Sequence, residues 1–215
     1  MQKIIYFIRH GESDHNKIPV FQPINSSLND IGREQANRVS KRFKKITFAK
    51  IITSPVNRAV ETAEIIAGET GKNIEKSDLF SEMMSPVIVH GKSYTDKSAM
   101  KIFEKWMKSI SDPETKIKDS ENYTDLIKRV DIALDFLENQ KEDSIVVISH
   151  GFFIRLIVAR IVFGKMMTPK NFGYFHEHIK SINTGVTTVK YCEDYIGALG
   201  WCLVSYNDSA HLQET

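Results

Sequence analysis

The stretch IIYFIRHGESDHN, Ile4 to Asn16, begins as an apolar run and ends as a polar loop, with Arg9 and His10 at the change. Ile4, Ile5, Tyr6, Phe7 and Ile8 are β-branched or aromatic and predict a buried strand over Lys3–Ile8. Taken alone, the Arg-His pair at its end has two meanings. Either it is the charged, solvated end of a strand, or it is an arginine holding an anion against a nucleophilic histidine. Where the other strands end decides between the two.

Ala49–Thr53, Ser144–Ser149 and Val186–Tyr191 are similarly apolar and predict strands, with another around Gly200–Tyr206 and a more polar one around Asn73–Ser77. Helical spacing fills the intervals. In Asn29–Ile46 the apolar set is Ile31, Ala36, Val39, Phe43 and Ile46, with Asn29 or Asp30 as cap. Pro55–Ala67 carries Val60, Ala63 and Ile66, with Pro55 in a first turn. Asn122–Asn139 repeats the pattern, and Phe152–Phe163, apolar nearly all round, predicts a buried helix. This alternation predicts an α/β fold, a three-layer α/β/α sandwich with a mostly parallel sheet and an antiparallel edge where the last two strands form a hairpin. Between Met83 and Asn122 the pattern breaks into loops and one amphipathic helix bearing Ile102, Phe103, Trp106 and Ile110. That segment, 83–122, is expected to be an inserted helical segment capping the site within a single domain over 1–215.

The bulk numbers exclude several classes. A net charge of +2 over 215 residues, with no lysine–arginine block, gives no reason to expect a nucleic-acid partner. No apolar run approaches membrane-spanning length. Met1-Gln2-Lys3 leads straight into a strand without a signal-peptide layout, and Cys192 and Cys202 are the only cysteines. A cytoplasmic chain is expected, with no disulfide framework and no metal site. His176-Glu177-His178 lacks a third ligand and is expected at the surface. The lysine series at 92, 97, 101, 105 and 108 reads as the solvated face of the amphipathic helix.

In parallel α/β sheets, ligands bind at the carboxyl ends of strands. Arg9 and His10 end the first strand, Ser54-Pro55 ends the second ahead of a helix bearing Arg58, and His150-Gly151 ends the Ser144–Ser149 strand. Neighbouring strands would bring two histidines and two arginines to one rim. A phosphoryl group in transfer carries charge on three oxygens, which suits planar, permanently charged guanidinium groups. A neutral imidazole can attack phosphorus when one ring nitrogen is free and the other is fixed. An alkoxide leaving group also needs a carboxylic acid in reach.

Arg9-His10-Gly11-Glu12-Ser13, followed by Asn16, resembles the signature of the histidine phosphatase superfamily, the phosphoglycerate-mutase-like proteins. Three more blocks resemble that family in its order: Leu28 to Ala36 with Gly32 and Gln35, Ser54 to Ala63 with Arg58, and Val147 to Gly151 with His150. The resemblance implies a nucleophilic His10 that becomes phosphorylated, a phosphate pocket of Arg9, Arg58 and His150, and no metal or nucleotide cofactor. It also implies a proton donor just after the third strand, where Glu82 is the matching position; Met84, Ser85 and Pro86 replace the residues that often follow there. Glu12 and Asp78 are rival carboxylates. Asn16 and Ser13 are expected to hydrogen-bond phosphate or brace the loop. The expected activity is metal-independent hydrolysis of a small phosphomonoester by a monomer or homodimer. A mutase that returns the phosphoryl group to a bisphosphorylated intermediate, and a non-catalytic phosphate-recognition module, are the alternatives.

Overall fold

The computed structural model describes residues 2–14, 18–21, 26–111, 115–193, 197 and 199–213. Six strands form one sheet: β1 (Lys3–Arg9), β2 (Lys50–Thr53), β3 (Ile74–Lys76), β4 (Ser144–Ser149), β5 (Val186–Glu193) and β6 (Leu199–Asp208), in the order β3-β2-β4-β1-β5-β6. β3, β2, β4 and β1 are parallel, while β5 runs antiparallel to β1 and β6 antiparallel to β5. The crossovers are α1 (Asp30–Phe43), α2 (Asn57–Thr70), α3 (Lys97–Ser111), α4 (Tyr123–Glu138), α5 (Gly151–Phe163) and α6 (Pro169–His178).

Two-residue periodicity sorts the strands between two cores. Ile8, Ile51, Val146 and Ile148 face α1 and α2, packing with Val39, Phe43, Ala63 and Ile66. Ile5, Phe7, Ile145 and Val147 face the other side, with Leu126 and Val130 of α4 and Phe153 and Ile157 of α5. This is the expected α/β/α sandwich. α5 buries eight of its residues, which matches its near-continuous apolar sequence. In the segment between Met83 and Asn122, α3 joins the second core through Trp106 and Ile110, leaving Lys97, Lys101, Lys105 and Lys108 exposed.

Three local expectations need correction. α2 begins at Asn57 with Val56 as its cap, so Pro55 precedes the helix rather than opening it. Ile31 lies 49% exposed, because the buried stripe of α1 runs through Gly32, Ala36, Val39 and Phe43 instead. His176 is half-buried rather than simply solvated: it belongs to α6, a helix without a clear apolar stripe in the sequence, and packs 4.8 Å from Phe152 and 5.8 Å from Phe172. Its i, i+4 relation to Phe172 places both rings on the face that meets α5. His178, on the other hand, is exposed. Cys192 and Cys202 are free thiols 3.8 Å apart on adjacent strands. No helix among the described residues is long and apolar enough to cross a membrane.

Candidate active site

β2, β4 and β1 are neighbours, so Ser54, His150 and His10 leave the sheet side by side at its carboxyl end. His10 N–H donates to Ser149 O at 3.0 Å, carrying the register of β1 and β4 one residue past the strand. The chain then passes so close to α1 that only glycine fits. A Cβ on Gly11 would lie 2.4 Å from Gly32 O, and one on Gly32 would lie 2.0 Å from Glu12 O. Asn29 caps α1 by accepting from Gly32 N and also donates from Nδ2 to Glu12 Oε1 at 2.9 Å. Glu12 N donates to Gln35 Oε1, and Gly11 N to Thr62 Oγ1. The Leu28–Ala36 and Ser54–Ala63 blocks are thus the braces of the Arg9–Glu12 turn.

His10 is buried, with Nδ1 2.7 Å from the Gly11 carbonyl. A carbonyl only accepts, so Nδ1 holds the proton and Nε2 keeps its lone pair. Arg58 Nε donates to that Nε2 at 3.1 Å. From the same guanidinium, Nη1 donates to Ser26 Oγ at 3.1 Å and Nη2 to His150 Nδ1 at 3.2 Å. His150 Nε2 meets Ser54 Oγ at 2.9 Å, and the two imidazole centroids are 5.0 Å apart. Burial, then the charge of Arg58, holds both histidines well below the ordinary imidazole range, with Arg9 adding to the effect. Both rings are therefore neutral at neutral pH. Burial also pushes Arg58 down to about 10, opposed by the charge of Glu82, so it stays a cation.

Arg9 points its guanidinium under α5, where Nη1 donates to Ser181 O and Nε has no hydrogen-bond partner among the described residues. A Cβ on Gly151 would lie 3.3 Å from that Nε. Glu82 follows the short 3-10 turn Asp78–Phe80 beyond β3. Its Oε2 accepts from Phe152 N at 3.3 Å and its Oε1 from Phe153 N at 3.2 Å and Met83 N at 3.0 Å. The carboxylate therefore occupies the N-terminus of α5, which His150 leaves without a side-chain cap. The rival carboxylates sit elsewhere: Glu12 is tied to Asn29, and Asp78 is exposed.

The structure thus brings Arg9, His10, Arg58, His150 and Glu82 together. Ser13 is fully buried beside the turn, and Asn16 lies outside the described residues. Several participants were not anticipated. Ser26 and Ser54 hold Arg58 and His150, and the loop after α6 wraps the first motif from behind. There Asn183 Nδ2 donates to His10 O at 2.9 Å, and Thr184 N donates to Arg9 O at 2.9 Å. Thr184 sits at φ 57, a left-handed conformation that a β-branched residue adopts only under strain. From the sequence, Asn183-Thr184-Gly185 ahead of the Val186 strand could form a phosphate-side loop or an ordinary turn; here it bonds the backbone of the first motif. Among the described residues no group of three or more histidine, cysteine or acidic side chains is placed to hold a metal ion.

The family described as histidine phosphatase superfamily (branch 1) matches residues 5–203. Probable phosphoglycerate mutase GpmB of Erwinia tasmaniensis is 26% identical over 215 residues, covering 98% of this chain and 95% of that protein. Bacillus stearothermophilus YhfR superposes with a TM-score of 0.79 at 22% identity, covering 98% of this chain and all of that one. A phosphoserine phosphatase mutant from Entamoeba histolytica, solved in complex with phosphoserine, superposes with a TM-score of 0.72 at 25% identity, covering 98% of this chain and 99% of that one.

Proposed function

Because the chain belongs to the histidine phosphatase superfamily, branch 1, we propose that it hydrolyses phosphate monoesters through a covalent phosphohistidine on His10. One observation carries the reading: His10 Nδ1 is committed to the Gly11 carbonyl, which leaves the Nε2 lone pair turned to the Arg58 guanidinium. A nucleophilic nitrogen is thereby aimed at the place where two arginines would hold an anion.

In the first step Arg9 and Arg58 bind the phosphoryl oxygens, and Arg58 exchanges its bond to Nε2 for one to phosphate. The ester's monoanion passes its proton to the Glu82 carboxylate; the Nε2 lone pair then forms the N–P bond as the P–O bond to the alcohol breaks, and Glu82 hands that proton to the departing oxygen. Ser54 Oγ can donate as well as accept, so His150 can shift its proton to Nδ1 and donate to a phosphoryl oxygen. In the second step water attacks phosphorus, Glu82 takes the proton back, and the N–P electron pair returns to Nε2. Alcohol and inorganic phosphate are the products.

The test is phosphate release across a panel of phosphomonoesters with EDTA present and His10→Ala alongside. Turnover that survives chelation and disappears in the variant is the expected result; His10→Ala turning over like wild type would overturn the nucleophile. The names of the sequence relatives favour a second reading, a phosphoglycerate-type mutase using the same pocket. With a bisphosphorylated primer and a phosphoglycerate, isomerisation outrunning phosphate release would select it.

A further inference from the structure

The loop that carries Glu82 is held chiefly by two residues that belong to none of the motif blocks. Arg129, on α4, spends its whole donor fork on the loop that carries Glu82 and on one acidic partner. Nη1 donates to Ser81 O at 2.7 Å and Leu79 O at 3.1 Å, and Nη2 to Glu82 O at 3.4 Å. Nε and Nη2 each lie 2.7 Å from the two carboxylate oxygens of Glu121, a bidentate pair with little solvent access. Glu121 grips the far side of the same loop. Its Oε2 accepts from Met84 N at 2.9 Å, and its own N–H donates to Met84 O at 3.0 Å. The Arg129 guanidinium also stacks 4.1 Å from the Phe153 ring, whose backbone N–H is one of the donors to the Glu82 carboxylate.

We propose that Arg129, locked by Glu121, is the positioning residue for the proton donor: it fixes the Leu79–Met84 loop and the start of α5 relative to each other, and so aims the Glu82 carboxyl at the leaving-group oxygen. The inference rests on the reading of Glu82 as the acid in the proposed phosphatase. A loop alone would not hold that aim, because its own backbone bonds end with Ser81 N donating to Asp78 O. Ser149 Oγ holds the Phe80 carbonyl at 2.7 Å, and Arg129 takes the Leu79, Ser81 and Glu82 carbonyls on either side of it, a set its planar, rigid fork satisfies only in one loop conformation. A displacement of about 1 Å at a reacting group can cost about a hundredfold in rate, so the clamp should act on turnover rather than on binding. Lysine in its place keeps the charge but reaches fewer acceptors, and so restores the aim only in part.

The test compares kcat and KM of Arg129→Met, Arg129→Lys and Glu121→Gln on two esters, with Glu82→Gln as reference. Glycerol phosphate releases an alkoxide that needs a proton; p-nitrophenyl phosphate releases a phenolate that does not. Glu82→Gln should lose about a hundredfold or more in kcat on glycerol phosphate and far less on p-nitrophenyl phosphate. Arg129→Met should show the same selective loss, about tenfold, with KM little changed; Arg129→Lys should recover part of it. Combined with Glu82→Gln, Arg129→Met should cost nothing further on glycerol phosphate, because both remove one function. Glu121→Gln leaves the carbonyl bonds of Arg129 intact and serves if Arg129→Met fails to fold; it should be selective in the same direction. If Glu82→Gln is selective while the folded clamp variants lose equally on both esters, or lose nothing, the clamp is overturned and the acid stands. Equal losses for Glu82→Gln itself overturn the acid, and the positioning role falls with it. A wild type inert on both esters overturns the phosphatase reading and the clamp together.

Discussion

Gly32→Ala, a single added methyl group outside the pocket, should disable the site. The new Cβ would stand 2.0 Å from Glu12 O and 2.7 Å from Glu12 N, both backbone atoms of the turn that carries His10. Ordinary contact begins near 3.4 Å, so turn and helix must separate by about 1.4 Å. That movement strains the 3.1 Å bond from Asn29 N to Glu12 O and the 2.9 Å bond from Glu12 N to Gln35 Oε1. Overpacking of this kind costs about 1–3 kcal/mol, and a misplacement of about 1 Å at the nucleophile costs about a hundredfold in kcat/KM. Gly68→Ala is the matched control, an exposed position on α2 where an added Cβ meets nothing within 4 Å. It should gain about 0.5–1 kcal/mol from the higher helix propensity of alanine. Thermal denaturation and phosphate release on both variants check the pair. A Gly32→Ala protein with the melting temperature and turnover of wild type would refute the claim that this contact sets the turn.

Acid should weaken the fold through its buried and half-buried histidines. His10 and His150 are held well below the ordinary imidazole range, and His176 is pushed down to about 4, by burial first and Arg155 second. Below about pH 6.5 the unfolded chain takes up protons that the native state refuses, so stability falls with pH until the folded values are reached. Urea midpoints at about pH 7.5 and about pH 5 should show the drop, and His176→Phe should reduce it; an unchanged pH slope in that variant would contradict the neutral state of this half-buried ring. Arg9 and Arg58 lie near two neutral rings, with Glu82 the carboxylate that acts most strongly on both, so inorganic phosphate should stabilise the protein. At a hundredfold excess over its Kd the gain is about 2.7 kcal/mol. A melting temperature no higher in phosphate than in chloride of equal ionic strength would argue against an anion pocket.

The sheet was legible because burial on both faces demands runs such as Ile4–Ile8 and Ile145–Ile148, which few other structures tolerate. α6 was not, because only Phe172 is fully buried along it and its sequence alternates aromatic and polar residues without a clear stripe. Its signal lay in its start rather than its face. Thr168 and Asn171 form a capping box around Pro169 in the first turn, so local chemistry specified the helix where periodicity did not.

The same distinction governs the site. Arg9, His10, Arg58 and His150 could be read from the sequence because parallel strands end at one rim, and a residue just past a strand end has nowhere else to be. Beyond the motif blocks, several of the parts that hold them still are joined through backbone carbonyls, which carry no mark in the sequence. Asn183 reaches the carbonyl of His10 across 173 positions, and Arg129 reaches the carbonyls of Leu79 and Ser81 across 50 and 48. Any side chain could have preceded those carbonyls, so no pattern of residue types announces the contact. Glu82 stands between the two cases. Its place after β3 was readable, but its aim was not, because the three N–H groups that its carboxylate accepts from belong to Met83, Phe152 and Phe153, whose side chains have no part in the bonds. In this fold the groups proposed to meet phosphate follow from topology, whereas the precision with which they meet it follows from main-chain contacts that only the folded structure reveals.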